Sequence, residues 1–356
     1  MTPPLVSIII NNFNYAKYLP RAIDSVLSQL YPCIEVIVID DASTDGSAEV
    51  IRCYGTAIKP VLQMINAGQG AALNAGFAGS RGEIVIFLDA DDYLYPDAAA
   101  EVASAWKTGV AQVHYRLDLV DAEERFIDLY PPPEVAFDNG DVVPLLLTSG
   151  RYETSVTSGN AFARTALAAI LPMPEDDFRV SADGYLVTLA PFYGFVLSIE
   201  KPLGAYRQHG KNNWSTGESS NWGEKFRKRM EHDRKRYAIL AAKAAERGLK
   251  TSADPGLRDH VHLTARISSL CLDRSHHPMP SDTRLGLTLH GICASRTARM
   301  PWARRMLLAL WFVCAGSFPS PIGRLAIMWR LEKSSRPKLV DKFMTRLRRV
   351  IMLLPR

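Results

Sequence analysis

Apolar and polar positions along the first hundred residues switch between two periods. Val6-Ser7-Ile8-Ile9-Ile10 is a nearly unbroken apolar run of strand length, and after the polar turn Asn11 to Asn14 the positions Leu19, Ile23, Val26, Leu27 and Leu30 recur three and four apart, as on one face of a helix. Pro20 is tolerated in the first turn of that helix, and Pro32 closes it. The alternation then repeats. Strand Ile34 to Ile39 leads into the capping-rich turn Asp40 to Ser47 and a helix at Ala48 to Cys53. A strand near Val61 to Ile65 leads through a glycine-punctuated turn to a helix ending near Gly79, and strand Ile84 to Leu88 runs straight into Asp89-Ala90-Asp91-Asp92. Buried strands alternating with helices predict βαβ units, and so an α/β fold with a Rossmann-like, mainly parallel sheet.

Beyond residue 97 the pattern predicts a helix at about Ala98 to Lys107, a strand at Val110 to Tyr115, a loop at Pro131 to Pro133, and strands at Phe195 to Ile199 and Leu203 to Tyr206. From about Asn221 it turns helical. The expected organisation is an α/β domain over 1–220, a helical extension over 221–295 and a separate tail over 296–356. A chain of 356 residues exceeds what one core usually holds, which agrees with more than one body. The 47% apolar and 22% charged composition excludes a disordered chain. Five scattered cysteines lack zinc spacing, and no basic stretch precedes an apolar one at the N-terminus, so no secretory signal and a reducing, cytoplasmic setting are expected.

Charge divides the chain more sharply than composition does. Residues 296–356 hold fourteen Lys and Arg against Glu332 and Asp341, a net +12 that leaves the first 295 residues at −7. Within Leu339 to Leu354 apolar positions repeat at three and four, with Lys342, Arg346 and Arg349 elsewhere on the wheel, the pattern of a basic amphipathic helix. The run Met306 to Ala315 is too short for the roughly 20 residues of a spanning helix. An interfacial position on anionic lipid, peripheral on the cytoplasmic face of a membrane, is expected for 296–356. The alternative is a helical subdomain packed on itself or on another subunit, which leaves an oligomer open. No nucleic-acid motif accompanies the charge, and no nucleic-acid partner is expected.

In open sheets, ligands sit outside the carboxyl ends of parallel strands, and Asn12, Asp40, Asp41, Asn66, Asp89 and Asp91 all fall at such ends. Three carboxylates in Asp89 to Asp92 repel one another unless a cation neutralises them. Hard oxygen ligands select Mg²⁺ or Mn²⁺, shared with substrate phosphates; the alternative is a capping turn of solvated aspartates. Asp40 and Asp41 are placed to accept hydrogen bonds from a nucleobase or ribose, or simply to cap the next helix. Gly68-x-Gly70, with Asp89 about 20 residues on, also suits a dinucleotide-binding turn. Leu73 occupies the third small position of that fingerprint, and the turn follows the third strand, not the first.

Taken in order, VSIIINNFNYAKYL, EVIVIDDASTDGS and NAGQGAALNAGFAGSRGEIVIFLDADD, within residues 5–97, resemble the nucleotide-binding half of the family 2 glycosyltransferases with the GT-A fold. The resemblance implies an inverting transferase that takes a nucleotide-diphosphate sugar, most often a UDP-sugar, and delivers the sugar to a glycan or lipid-linked acceptor. It implies that Asn11, Asn12, Asp40 and Asp41 contact the nucleotide, with Asn66, Gly68, Gln69 and Asn74 in the matched glycine-rich segment. It implies that Asp89, Ala90 and Asp91 form the DxD motif, whose second Asp binds Mn²⁺ or Mg²⁺ on the diphosphate. Relatives often carry Arg or Lys where this chain has Leu73. Ser158 to Arg164, with Asn160, resembles a loop lining the sugar and acceptor site. Ser181 to Leu186 resembles the segment of the catalytic base, here Asp183, with Ala182 in place of an acidic neighbour. Tyr206 to Asn213 resembles a segment in which the histidine, here His209, can complete the metal or phosphate shell, and Arg207 and Lys211 are cationic donors suited to a diphosphate. A dinucleotide-dependent oxidoreductase and a non-catalytic membrane adaptor of this fold stand as the rival readings.

Overall fold

The computed structural model describes residues 3–210, 222–317 and 320–331. The repeat expected over Leu339 to Leu354, and Lys211 to Asn213, lie outside the described residues.

The first half folds as its periodicity predicts, except that the strand expected near Val61 to Ile65 runs over 59–62, leaving Met64 and Ile65 exposed in the turn beyond it. β1 (Val6–Asn12), α1 (Leu19–Leu27), β2 (Ile34–Asp40), α2 (Ser47–Cys53), β3 (Lys59–Leu62), α3 (Gln69–Gly79) and β4 (Ile84–Asp89) follow one another, and the four strands pair in parallel in the order β3-β2-β1-β4. Ile8 and Ile10 on one face of β1 belong to a fully buried core with Ile23 and Val26 of α1. On the other face, Ile9 meets Gly76 of α3. Register does something composition cannot: it sets Asn12 beside Asp40 and Asn11 beside Asp89, bringing the polar ends of three strands level.

The second half departs from the mainly parallel expectation. It contains β5 (Tyr93–Leu94), α4 (Ala98–Ala105), β6 (Val110–Val120), β7 (Phe126–Tyr130), α5 (Val143–Ser149), β8 (Asn160–Ala163), α6 (Arg164–Ala168), α7 (Asp183–Leu189) and β9 (Phe195–Arg207). The sheet continues β4-β8-β6-β9-β5, with β7 along β6; only β6 and β9 are parallel in this half. The two strands expected at 195–199 and 203–206 are halves of β9, joined through a register slip against β6 between Ile199 and Pro202. The expected loop at 158–164 contains β8, buried throughout and inserted antiparallel between β4 and β6. Four residues carry too little periodicity to announce a strand whose partners lie some 50 and 75 residues away.

By internal packing the described chain forms two units. One comprises residues up to Pro133 with Phe137–Pro144 and Tyr152–His209; the other comprises Glu134–Ala136, Leu145–Arg151 and the chain from Gly210. The second is helical: α8 (Trp222–Glu246), α9 (His260–Leu272), α10 (Arg284–Thr297), α11 (Trp302–Ser317) and α12 (Ser320–Leu331). Leu263, Ile267, Leu287, Leu308, Phe312 and Ile327 share one buried core. The described helices after residue 296 therefore pack with those before it. A buried ionic network lies in the same unit, where the Arg151 guanidinium donates to Asp259 (2.8 Å) and Asp233 (3.1 Å) and the Tyr237 hydroxyl donates to Asp259 (2.9 Å). Among the described residues no helix is long and apolar enough to cross a membrane.

Gly76 tests the packing of α3 on β1. A Cβ there would stand 2.3 Å from Ile9 Cγ2, and Ile9 is fully buried. Gly76→Ala should destabilise the protein by about 1–3 kcal/mol in urea unfolding, since overpacking outweighs the ~1 kcal/mol that alanine gains in a helix. A variant as stable as the parent would refute the close approach.

Candidate functional site

The carboxyl edge of β1, β2 and β4 is built from reciprocal side-chain contacts. Asn12 Nδ2 donates to Asp40 Oδ1 (2.7 Å) and to Ser43 Oγ (3.1 Å), and the Ser43 N–H donates to Asp40 Oδ2 (3.0 Å). Asp41 accepts from the backbone N–H groups of Ala67 (2.8 Å) and Gly68 (2.7 Å), while Asn66 Nδ2 donates to the Asp41 carbonyl (3.3 Å). Asp41 is thus the anchor of the glycine-rich turn. Asn11 Nδ2 donates to Asp89 Oδ1 (2.9 Å). The amide oxygens of Asn11 and Asn12 are buried and accept no hydrogen bond, although buried acceptors are normally satisfied.

The glycine-rich turn serves the protein's own backbone. At the start of α3 the N–H groups of Gln69 and Gly70 donate to the carbonyls of Arg179 (2.8 Å) and Phe178 (3.0 Å). A Cβ at Gly68 would lie 2.8 Å from Arg179 backbone atoms, one at Gly70 2.8 Å from the Phe178 carbonyl, and Gly68 has a φ of +90° besides. Arg179 clamps the turn from its side chain, donating to Asn66 Oδ1 (2.8 Å) and to the Ala67 carbonyl (3.1 Å). A dinucleotide site needs those helix N–H groups for pyrophosphate, and here they are spent.

Gln69 joins this turn to the acidic strand end. Its Nε2 donates to Asp89 Oδ1 (2.9 Å), and its Oε1 accepts from the Ala182 N–H (3.0 Å), the residue before Asp183. Asp183 opens α7, and its charge reaches Asp89. Burial first, then the charges of Asp91 and Asp183, push the Asp89 carboxyl up to about 8. Asp92 is buried and lies well above the usual carboxylate range for the same reasons, burial and then Asp91 and Asp89, opposed by donors from the Ser158 hydroxyl (2.6 Å) and the Arg207 N–H (2.9 Å). Asp91 Oδ2 lies 2.9 Å from His209 Nε2, and the His209 ring stacks on Tyr18 at 4.9 Å. Tyr15 meets that ring edge-on at 5.5 Å, its phenol pushed up by burial and then by Asp91 and Asp89.

Three of the expected contact residues are held by the protein's own groups. Arg207 is buried: its guanidinium donates to the Asp91 carbonyl (2.8 Å) and to Glu124 (2.9 Å), and lies over the rings of Tyr18 and Tyr93. It braces the acidic turn from beneath. Asn160 is fully buried in β8, donating to the carbonyls of Ser155 (3.1 Å) and Val156 (2.7 Å) and accepting from Gln112 (2.8 Å). Asn74 accepts from the Met173 N–H (2.9 Å) and donates to the Met173 carbonyl (3.0 Å), tying α3 to the loop before α7. Ala90 is buried and donates its N–H to the Asn11 carbonyl (3.2 Å). Reading by residue type overlooked Arg179, Ser158 and Tyr18, whose roles depend on partners far away in sequence; the one local signal was Ser158, inside a segment already singled out.

The architecture, a mixed sheet whose parallel half ends in acidic turns, is that of the GT-A glycosyltransferase fold. Among solved structures, S. aureus TarS 1–349 in complex with UDP-GlcNAc superimposes with a TM-score of 0.55 at 15% identity, over 92% of this chain and 91% of that one. The mannosyltransferase PcManGT from Pyrobaculum calidifontis, in complex with GDP-Man and Mn²⁺, gives 0.50 at 19% identity, over 92% and 85%. At such identities the likeness concerns the fold alone. A model of glycosyl transferase family 2 matches residues 7–153. An uncharacterised glycosyltransferase of Nostoc sp. is 38% identical over 222 residues, 60% of this chain and 68% of that protein. The chain belongs to the family 2 glycosyltransferases. Chondroitin synthase of Pasteurella multocida is 41% identical over 97 residues, which are 27% of this chain and 10% of that protein.

The raised Asp89 carboxyl fixes the sign of a pH effect. A carboxyl whose folded pKa exceeds its unfolded value of roughly 3.9 contributes stability that is complete below that value and is lost as pH rises through about 8. Without divalent cation, the melting temperature should fall from about pH 5 to about pH 9, and Asp89→Asn should flatten that slope. Equal slopes in differential scanning fluorimetry would contradict the assignment.

Proposed function

We propose that the protein is an inverting, metal-dependent transferase that passes a sugar from a nucleotide diphosphate, a UDP-sugar, to a hydroxyl of a glycan or lipid-linked acceptor, as in cell-surface polysaccharide synthesis, and works peripherally on the cytoplasmic face of a membrane. The observation that carries the reading is the meeting of Asp89, Asp91 and Asp183 at one strand edge, crowded enough to hold Asp89 near pKa 8. UDP-GlcNAc in TarS and GDP-Man with Mn²⁺ in PcManGT support a nucleotide-sugar donor. The unpartnered amide oxygens of Asn11 and Asn12 are the acceptors that a ribose hydroxyl or a base N–H would satisfy.

The donor set fits Mn²⁺ or Mg²⁺ held partly by substrate. Asp91 and His209 offer an oxygen and a nitrogen 2.9 Å apart, with Asp89 on the same turn. Among the described residues no group of three His, Cys, Asp or Glu is arranged as a complete metal site, so phosphate oxygens and water would fill the shell, as Mg²⁺ prefers. A cation there would offset the charge that develops on the departing diphosphate. The chain's own part is base catalysis and positioning. The Asp183 carboxylate takes the proton of the acceptor hydroxyl while the oxygen bonds to the anomeric carbon and the sugar–phosphate bond breaks on the opposite side, giving inversion in one displacement. Gln69 holds the Asp183 turn at a fixed distance from Asp89. Arg207 and Ser158 hold Asp92, and with it the DxD turn.

Asp183→Asn should lower sugar transfer by about 10²–10⁴-fold with UDP affinity unchanged, since it removes only the proton acceptor. A variant that still transfers at the parental rate would remove Asp183 from the reaction. Isothermal titration should show UDP binding that weakens in EDTA for the parent and no longer responds to metal in Asp91→Asn. Equal parental affinity in Mn²⁺ and EDTA would dismiss Asp91 as a metal ligand.

A further inference from the structure

The helical unit holds a cavity of about 480 Å³ at the end of α9, the start of α10 and one side of α12, a volume in the range of small-ligand sites. Three arginines line it: Arg274, Arg284 and Arg324. Arg284 points two N–H groups at the sulfur of Cys271 (3.4 and 3.3 Å), and Arg324 reaches the carbonyls of Cys271 (3.4 Å) and Leu272 (3.5 Å) at long range. Among the described residues, none of the three pairs with a carboxylate.

The acid in the wall is already taken. Asp282 accepts from Arg266 Nε (3.0 Å) and lies 2.9 Å from His277 Nε2. The cavity is therefore left with three uncompensated guanidinium groups, at a helix start whose N-terminal dipole adds to the same sign. Guanidinium forks match the oxygens of phosphate, and a phosphate group carries enough charge to answer more than one of them.

The apolar neighbours narrow the ligand further. Leu285, next to Arg284, is 66% exposed, and Leu289 one turn on is 56% exposed; Ile322 and Leu325, beside Arg324, are 47% and 46% exposed. Exposed large apolar side chains on α10 and α12, the helices that carry Arg284 and Arg324, suit a phosphate carried on an acyl or prenyl chain better than a free phosphate, which gains nothing from them. We propose that this cavity binds the phosphate headgroup of an anionic lipid. The inference rests on the peripheral-membrane part of the proposed function and deepens it, adding Arg274 and Arg284, which lie outside the basic segment 296–356.

Headgroup preference at matched surface charge tests it, because diffuse attraction between a basic protein and an anionic bilayer does not distinguish headgroups. Flotation should show the parent binding phosphatidylcholine vesicles that contain phosphatidic acid several-fold better than vesicles of equal charge that contain phosphatidylglycerol. Arg284→Gln/Arg324→Gln should abolish that preference. Arg299→Gln/Arg305→Gln, which removes the same charge outside the cavity, should lower binding to both vesicles and keep the preference. UDP binding checks that each variant is folded. Parental binding to both vesicles without preference, or a preference that survives the Arg284/Arg324 change, overturns the site and leaves the peripheral reading standing. Inorganic pyrophosphate that binds the parent but not the Arg284/Arg324 variant, with no headgroup preference on vesicles, overturns the lipid assignment in favour of a soluble phosphate. Binding to no vesicle at all overturns both readings.

Discussion

Like charges gathered at one strand edge set the terms for the rest of the α/β unit. Two carboxylates about 5 Å apart repel by about 3 kcal/mol at an effective dielectric constant of ~20, whereas a hydrogen bond to a charged group returns about 1.5–3 kcal/mol. Asp89 accepts from Asn11 and Gln69, and Asp92 from Ser158 and the Arg207 N–H, yet both remain shifted upward. The internal donors hold the acids in place without neutralising them. Four partners orient this crowding, which is the observation on which the proposed cation rests.

That constraint explains why the surroundings are so heavily braced. Gln69 is pinned at both ends, by Asp89 and by the Ala182 N–H, and its own N–H is held by the Arg179 carbonyl. One side chain thus relates the start of α3, the end of β4 and the turn that presents Asp183. Asp41 and Arg179 grip the two preceding residues of the same turn. The glycines that invited comparison with a dinucleotide fingerprint are explained by the close pass of Phe178 and Arg179, and the helix N-terminus that would have faced a pyrophosphate faces two carbonyls instead.

What the sequence made legible was whatever repeats locally. The parallel half came from short apolar runs alternating with helical spacing, and the positions of Asn11, Asn12, Asp40, Asp89 and Asp91 followed because each ends a strand or lies in the turn directly after one. β8 was illegible because four residues acquire their identity as a strand only from β4 and β6, on which the chain closes much later. The partners of Arg207 and Asn160 were illegible for a related reason. A cation or an amide in a matching motif reads as a ligand contact, but whether it faces the crevice depends on Glu124, Tyr18 and Tyr93 in one case and on Gln112 and the Ser155 carbonyl in the other. Side-chain type is written in the chain; side-chain direction is written in its long-range partners.

The helical unit offers its own control on how to read its charges. Around Arg151 the positive and negative groups answer one another: Arg151 bridges Asp233 and Asp259, Tyr237 supports Asp259, and His262 stands 3.1 Å from Asp233. Asp233 is held far below the usual carboxylate range by His262 and the surrounding arginines, against its burial. A balanced network of this kind needs no ligand, and its role is to join α8 to the start of α9. Arg274, Arg284 and Arg324 line an open volume in which the one carboxylate of the lining among the described residues, Asp282, is already claimed. Both groups are built from the same residue type in the same unit, and only the second leaves its charge unanswered.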